Sequence, residues 1–334
     1  MSVRRYAGVV AFVMGMAGFC VAMTAETKRE TPKLKITALP NGGKILFLGD
    51  SITYAGGYVE AIDAALFLHA PDKTYILLNV GLPSETVSGL TEPNHAGGAF
   101  PRPDLHERLD RVLAAIKPDV VVACYGMNDG IYYPFDSARF TKFQDGIMKL
   151  RAKVMASGAK LWHLTPPPFD SVPIKAQTLP DGLTEYPSGK SFVGYDGVLA
   201  RYSKWLTSQR RSGWNVIDIH TPLNRFLREQ RKTEPNYVFA NDGVHLNSVG
   251  QRLIAREVLR AWRVPAKLLP NAANIEGDEA KIATRVHERQ RLLTDSYLTR
   301  IGHKRPGMAQ GVSIADAEKQ AAEREVEIRN ITHK

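Results

Sequence analysis

Four short segments carry the residue types that nucleophilic chemistry requires. Gly49-Asp50-Ser51-Ile52-Thr53 directly follows an apolar run, so Ser51 sits where a strand should turn into a helix. A serine in that position presents its hydroxyl to solvent while its own backbone N–H faces the place where an oxyanion would develop. Taken alone, such a residue reads equally well as a helix cap. Asp242-Gly243-Val244-His245 lies far along the chain. A turn across this Asp-x-x-His lets the carboxylate orient and stabilise the imidazole, which then takes the proton of Ser51. Asn79-Val80-Gly81 and Gly126-Met127-Asn128-Asp129 end two further apolar runs. Glycine at 81 allows a backbone N–H to approach a ligand closely, and the Asn128 amide can donate to the same oxyanion. Each segment is weak evidence by itself. Four of them in order, each at the end of a strand, are strong evidence together.

Competing chemistries lack their residues. Gly189-Lys190-Ser191 has Thr184 where a phosphate loop needs glycine, and it follows no strand. Neither a Gly-x-Gly-x-x-Gly after a strand nor a Gly-x-Ser-x-Gly elbow is present. His106-Glu107 and His287-Glu288 are not followed by the second histidine of a zinc helix, so no metal and no cofactor is expected. Cys124 stands in the run Val120, Val121, Val122, Ala123 and reads as a buried small hydrophobe.

The elements that must hold these residues follow from apolar periodicity. Runs at 44–48, 75–79, 119–125, 160–165 and 215–219 predict buried strands. Leu105, Leu109, Val112, Leu113 and Ile116 fall at helical spacing, as do Phe140, Phe143, Ile147, Leu150 and Val154, with Gly158 as the stop. Asn247 should cap a helix carrying Val249, Leu253, Ile254 and Val258. Strands alternating with helices predict a parallel sheet covered on both faces, with ligands beyond the carboxyl ends of its strands. The connections at 82–100 and 166–195 exceed the usual two to six residues and should overhang that edge. Tyr54, Tyr132 and Tyr133 follow the Ser51 and Asn128 segments. They either pack the long loops or stay open to stack on a substrate. Beyond Pro270 the pattern predicts a helix over 278–301, a break at 302–307, and a charged helix from Ser313 with Asp316 in the capping-box position. That last helix is either a solvated appendage or a docking element.

The composition is that of a globular chain: 334 residues, 44% hydrophobic, 23% charged, with only 2 Cys. It excludes a disordered chain, a collagen and a disulfide-stapled mini-domain. The 44 Lys and Arg against 34 Asp and Glu leave a formal charge of +10, scattered along the chain, and no nucleic-acid partner is expected. Arg4 and Arg5 precede an uncharged, largely apolar stretch at 7–25, then a charged segment at 26–30. This predicts an export signal cleaved between Ala22 and Ala25, with an uncleaved membrane anchor as the alternative. Cleavage would remove Cys20 and leave no membrane span.

From Leu46 to about Trp262 the sequence resembles the SGNH hydrolases, also called GDSL esterases and lipases. Gly49-Asp50-Ser51 matches the nucleophile block, Gly81 the glycine block, Gly126-Met127-Asn128-Asp129 the asparagine block and Asp242-Gly243-Val244-His245 the terminal block. Ile52 stands where the older motif name has leucine, and Pro83 follows shortly after Gly81. The resemblance implies a flavodoxin-like three-layer α/β/α domain with a parallel sheet, usually of five strands. It also implies a metal-free serine esterase. Ser51 would be the nucleophile, His245 the base and Asp242 its orienting partner. The Ser51 N–H, Gly81 N–H and Asn128 side chain would form the oxyanion hole. The expected organisation is a signal at 1–25, a linker at 26–43, the hydrolase domain at 44–269 and a helical C-terminal extension at 270–334. The expected substrate is a small-molecule or polysaccharide ester, with acetyl on a carbohydrate as the expected group, handled outside the cytoplasm. The alternatives are a lysophospholipase or lipase, and a catalytically silent glycan-binding protein of the envelope.

Overall fold

Strands with no polar face must be covered on both sides, and the middle of this sheet consists of such strands. Ile45 through Leu48 and Val120 through Val122 have no measurable exposure. The structure, a computed structural model, describes residues 39–332 apart from 71, 184, 185, 188 and 274. The expected signal, Cys20 and most of the expected linker lie outside the described residues.

The main sheet contains β1 (Lys44–Gly49), β2 (Ile76–Asn79), β3 (Val120–Cys124), β4 (Lys160–Leu164) and, further along the chain, β7 (Asn215–Ile217). All pairings are parallel and the order is β2-β1-β3-β4-β7, the flavodoxin-like order. The remaining two strands, β5 (Thr178–Leu179) and β6 (Ser191–Phe192), pair with each other inside the long second connection. Register decides what meets at the carboxyl edge. Phe47 pairs with Asn79 and Gly49 with Cys124, so the residues just after β1, β2 and β3 emerge at one level.

Helices α1 (Ser51–Tyr54) and α2 (Gly57–His69) follow β1, α3 (Leu105–Ile116) precedes β3, and α4 (Ser137–Ala156) precedes β4. Next come α5 (Tyr195–Ser208), α6 (His220–Thr233) and α7 (Ser248–Ala261). Helices α2 and α6 pack on α7, and α3 and α5 pack on α4, giving two layers that flank the sheet. The expected apolar stripes of α3 and α4 are the faces they bury. Asn247 caps α7 by accepting from the Gly250 N–H at 3.1 Å.

Sequence periodicity does not mark α2, because eight of its residues are buried and no polar face remains to set a rhythm. It is enclosed by the sheet, by α7 and by α8 (Gly277–Ile301). The last helix, α9 (Ile314–Thr332), lies along α8 and buries Ala317, Ala321 and Ile328. Its Ser313 Oγ accepts from the Asp316 N–H, as the capping box requires. Leu293, Tyr297, Leu298 and Ile301 of α8 enter the main core, so the segment after 270 packs as part of the same unit. Asp63 of α2 is anchored there by Arg289 Nη1 at 2.9 Å and Gln290 Nε2 at 2.6 Å. No described helix is long and apolar enough to cross a membrane.

Candidate active site

Asp50 builds the turn that presents Ser51. Its buried carboxylate caps the short α1 by accepting from the Ile52 N–H at 2.9 Å, and burial pushes its pKa up to about 7. Ser51 is thereby the first residue of a helix, where the backbone N–H has no partner within that helix. Gly49 admits no side chain: a Cβ would lie 2.1 Å from Thr53 Oγ1. Thr53 in turn bonds to the Tyr58 hydroxyl at 3.0 Å, fixing α1 to α2.

The Asp242–His245 turn brings its two side chains together through the backbone. Asp242 Oδ1 accepts from the Val244 N–H at 3.0 Å and the His245 N–H at 2.8 Å, which leaves Oδ2 to take the imidazole Nδ1 at 2.5 Å. The other ring nitrogen, Nε2, lies 2.8 Å from Ser51 Oγ. Partial burial works against the charge on Asp242, but the hydrogen bonds from His245 outweigh it and hold the carboxyl well below its usual range. The same side-chain bond raises the His245 pKa above its ordinary value, against partial desolvation. About half of each side chain faces solvent.

Asn128 emerges after β3 and is buried. Its Nδ2 donates to the Glu85 carbonyl at 3.1 Å, and its Oδ1 accepts from the Tyr132 hydroxyl at 3.1 Å. The second Nδ2 proton has no acceptor among the described residues. Gly81 lies against α1, where a Cβ would come within 2.5 Å of the Tyr54 backbone nitrogen. Its N–H is already taken: it donates to Asn79 Oδ1 at 2.9 Å, while Asn79 Nδ2 holds the Thr53 carbonyl at 2.6 Å. Of the three expected donors, then, Gly81 is the one engaged within the chain. An asparagine two residues earlier closes a local turn onto it.

The three tyrosines already have partners. Tyr54 lies under the Arg291 guanidinium, 4.7 Å from its ring centroid, and its hydroxyl accepts from Arg291 Nη2 at 2.9 Å. Tyr133 packs on Tyr186 at 5.1 Å. Tyr132 stacks on Tyr195 at 4.9 Å. Tyr132 and Tyr133 nonetheless line a cavity of about 260 Å³ that reaches Asp242. Its walls come from both long connections, through Glu92 and His95 on one side and Gln177 and Tyr186 on the other. A larger cavity of about 510 Å³ lies between α2, α7 and the segment before α8, and none of the four segments' polar groups lines it.

Residues without a local sequence signal support the site from behind. Glu85 is fully buried and grips Arg108 through two bonds of 2.6 and 2.7 Å, while the Tyr125 hydroxyl donates to the same carboxylate at 2.7 Å. Since the Glu85 carbonyl holds Asn128, this buried group anchors the Asn128 amide. Asp129 Oδ1 accepts from the Val87 and Ser88 N–H groups and ties the first long connection to the asparagine segment. The acid and base of the Glu85–Arg108 pair are 23 residues apart, and no short pattern links them. Among the described residues no three His, Cys, Asp or Glu side chains gather as a metal site would require. Cys124 is buried, as expected.

Comparison with known proteins bears on the family and the fold. The profile of the GDSL-like lipase/acylhydrolase family matches residues 47–253. Among solved structures, an acetylxylan esterase from Geobacillus stearothermophilus, crystallised as a catalytic mutant, aligns with a TM-score of 0.51 and 19% identity. That alignment covers 70% of this chain and 99% of the esterase. A gut microbial diltiazem-metabolizing enzyme aligns with a TM-score of 0.52 and 21% identity, over 67% of this chain and 48% of that one. This chain therefore spans about half the length of the second protein. At such identities the likeness is one of fold. A search of curated proteins finds no match.

Proposed function

The chain belongs to the GDSL-like lipase/acylhydrolase family, and from that premise we propose that it is an exported serine esterase cleaving short acyl groups, acetyl first, from a carbohydrate. The observation that carries the serine mechanism is the relay Ser51 Oγ–His245 Nε2 at 2.8 Å and His245 Nδ1–Asp242 Oδ2 at 2.5 Å. Ser51 Oγ attacks the ester carbonyl as His245 Nε2 takes its proton, with Asp242 stabilising the imidazolium. The tetrahedral oxyanion is held by the Ser51 N–H and the free Asn128 N–H. Gly81 becomes a third donor only by sharing its N–H between Asn79 and the oxyanion. His245 next returns the proton to the departing alcohol oxygen. Water, deprotonated by the same imidazole, attacks the acyl carbon, and the imidazolium returns that proton to Ser51 Oγ as the acyl–oxygen bond breaks and the acid leaves.

The acetyl and carbohydrate preference is supported by the small cavity beside Asp242, where Glu92, Arg102 and Gln177 offer hydrogen-bonding groups, and by the activity named for the Geobacillus esterase. The first 25 residues are proposed as the export signal and 44–269 as the catalytic portion. Ser51→Ala or His245→Ala should lower kcat on p-nitrophenyl acetate by roughly 10⁴–10⁶-fold with folding intact. Asn128→Ala should cost about 10²–10³-fold, because another donor remains. Acetylated xylooligosaccharides should be turned over in preference to long-chain p-nitrophenyl esters, and EDTA should have no effect. Retained turnover in Ser51→Ala would overthrow the mechanism, and a preference for long acyl chains would overthrow the substrate assignment.

A further inference from the structure

We propose that Tyr132 is a positioning residue whose hydroxyl locks the Asn128 amide in the orientation that leaves one N–H aimed at the oxyanion. This rests on the reading of Ser51 as nucleophile and Asn128 as donor. The amide presents one oxygen and one NH₂ group, and its assignment follows from its neighbours. The Glu85 carbonyl at 3.1 Å can only accept, so Nδ2 must face it. Oδ1 then faces the Tyr132 hydroxyl at 3.1 Å, which must donate. A single hydrogen bond would leave the amide free to swing about the bond axis. Two bonds, one at each end of the group, fix its plane and thus the direction of the remaining N–H.

The chain accepts local strain to bring this hydroxyl into place. Ile131 and Tyr132 have φ of 50° and 60°, two successive non-glycine residues in the left-handed region. This reversal turns the Tyr132 ring back onto a residue four positions earlier. Such a conformation persists only where the surroundings over-determine it, and here they do. The ring stacks on Tyr195, whose hydroxyl donates to the carbonyl of Met127, the residue before Asn128, at 2.7 Å. The Phe192 N–H holds the Tyr132 carbonyl at 2.8 Å, and the Arg102 guanidinium lies 5.5 Å from the ring centroid. The second long connection and the segment leading into α3 therefore converge on one phenol. Burial pushes its ionisation far up, so it remains a donor throughout the working pH range.

Tyr132→Phe keeps the ring and its stacking and removes only the hydroxyl. With p-nitrophenyl acetate, kcat should fall about tenfold, with KM and Tm unchanged, since one orienting hydrogen bond is lost. In an Asn128→Ala background the same substitution should have no further effect, because the group it orients is gone. Wild-type kcat in Tyr132→Phe, or an equal tenfold loss in the Asn128→Ala background, would overturn the proposal. A loss accompanied by a drop of several degrees in Tm would also overturn it, by making the hydroxyl merely structural. The underlying mechanism fails separately: turnover surviving Ser51→Ala removes that mechanism and this role with it. Inactive Ser51→Ala, slow Asn128→Ala and fully active Tyr132→Phe together would remove this role alone.

Discussion

The Asp242 carboxylate raises the pKa of His245 and orients the ring, and the two effects separate on a pH axis. A general base must be neutral, so kcat/KM should rise with pH through the raised His245 pKa, with its acidic limb above 6.5. Asp242→Asn should move that limb to lower pH while cutting kcat by about 10²–10⁴-fold. A pH–rate profile with an unmoved limb would refute the coupling. His163 behaves in the opposite sense. It is buried in β4, stacked on Trp214 with neither ring nitrogen bonded, and burial lowers its pKa to about 3. Below pH 6.5 the unfolded chain takes up a proton that the folded chain refuses, and stability falls until about pH 3. His163→Phe should therefore be more stable than wild type at pH 5 by about 2 kcal/mol relative to the difference at pH 8, read from urea titrations. Ser51, Asn128, Asp242 and His245 were legible in the sequence because each follows a strand or precedes a helix at a short, fixed spacing. His163 was not, since within β4 only the fold decides which of its faces is buried.

Between elements, a close joint forms at the turn that presents His245. Gly243 has φ of 78°, and a Cβ there would lie 2.7 Å from the Asp170 carbonyl. The Gly243 carbonyl also accepts from the Asp170 N–H at 2.8 Å, and Arg231 Nη2 holds the Asp170 carboxylate at 2.7 Å. The second long connection thus bears directly on the His245 turn. Gly243→Ala should displace that turn, lowering kcat by about 10–100-fold with a modest fall in Tm. Unchanged kinetics would show that the turn tolerates the shift. The lengths of the two connections announced that they matter, but their anchors did not appear in the sequence. Asp129 reaching Val87 and Ser88, and Tyr132 reaching back to Asn128, are long-range or strained contacts without a periodic trace. Helix α2 was equally silent, whereas α3, α4 and α7 each have one wet face and declared themselves.

At the scale of the molecule, α8 is bound into the catalytic unit by buried charge. Asp63 and Arg289 are both nearly inaccessible, so Arg289→Met would strand a carboxylate that burial already pushes toward protonation. The expected cost is about 3–5 kcal/mol in urea unfolding, with Asp63→Asn in the same chain recovering part of it. A chain ending at residue 276 should aggregate in size-exclusion chromatography, because it uncovers the surface on which Leu293, Tyr297 and Leu298 pack. A monodisperse, active product would show the opposite. The sequence marked the two terminal helices and their capping box, but not their partners, because helix–helix docking leaves no signal at a distance. The Arg291 clamp on Tyr54 has a consequence in time. Ser51 and His245 are 194 positions apart, and the arginine that holds Tyr54 of α1 comes later still. On the proposed mechanism, a polypeptide lengthening on the ribosome should therefore complete its reaction centre only after α8 has followed, and hydrolytic capacity should arrive as a single late step.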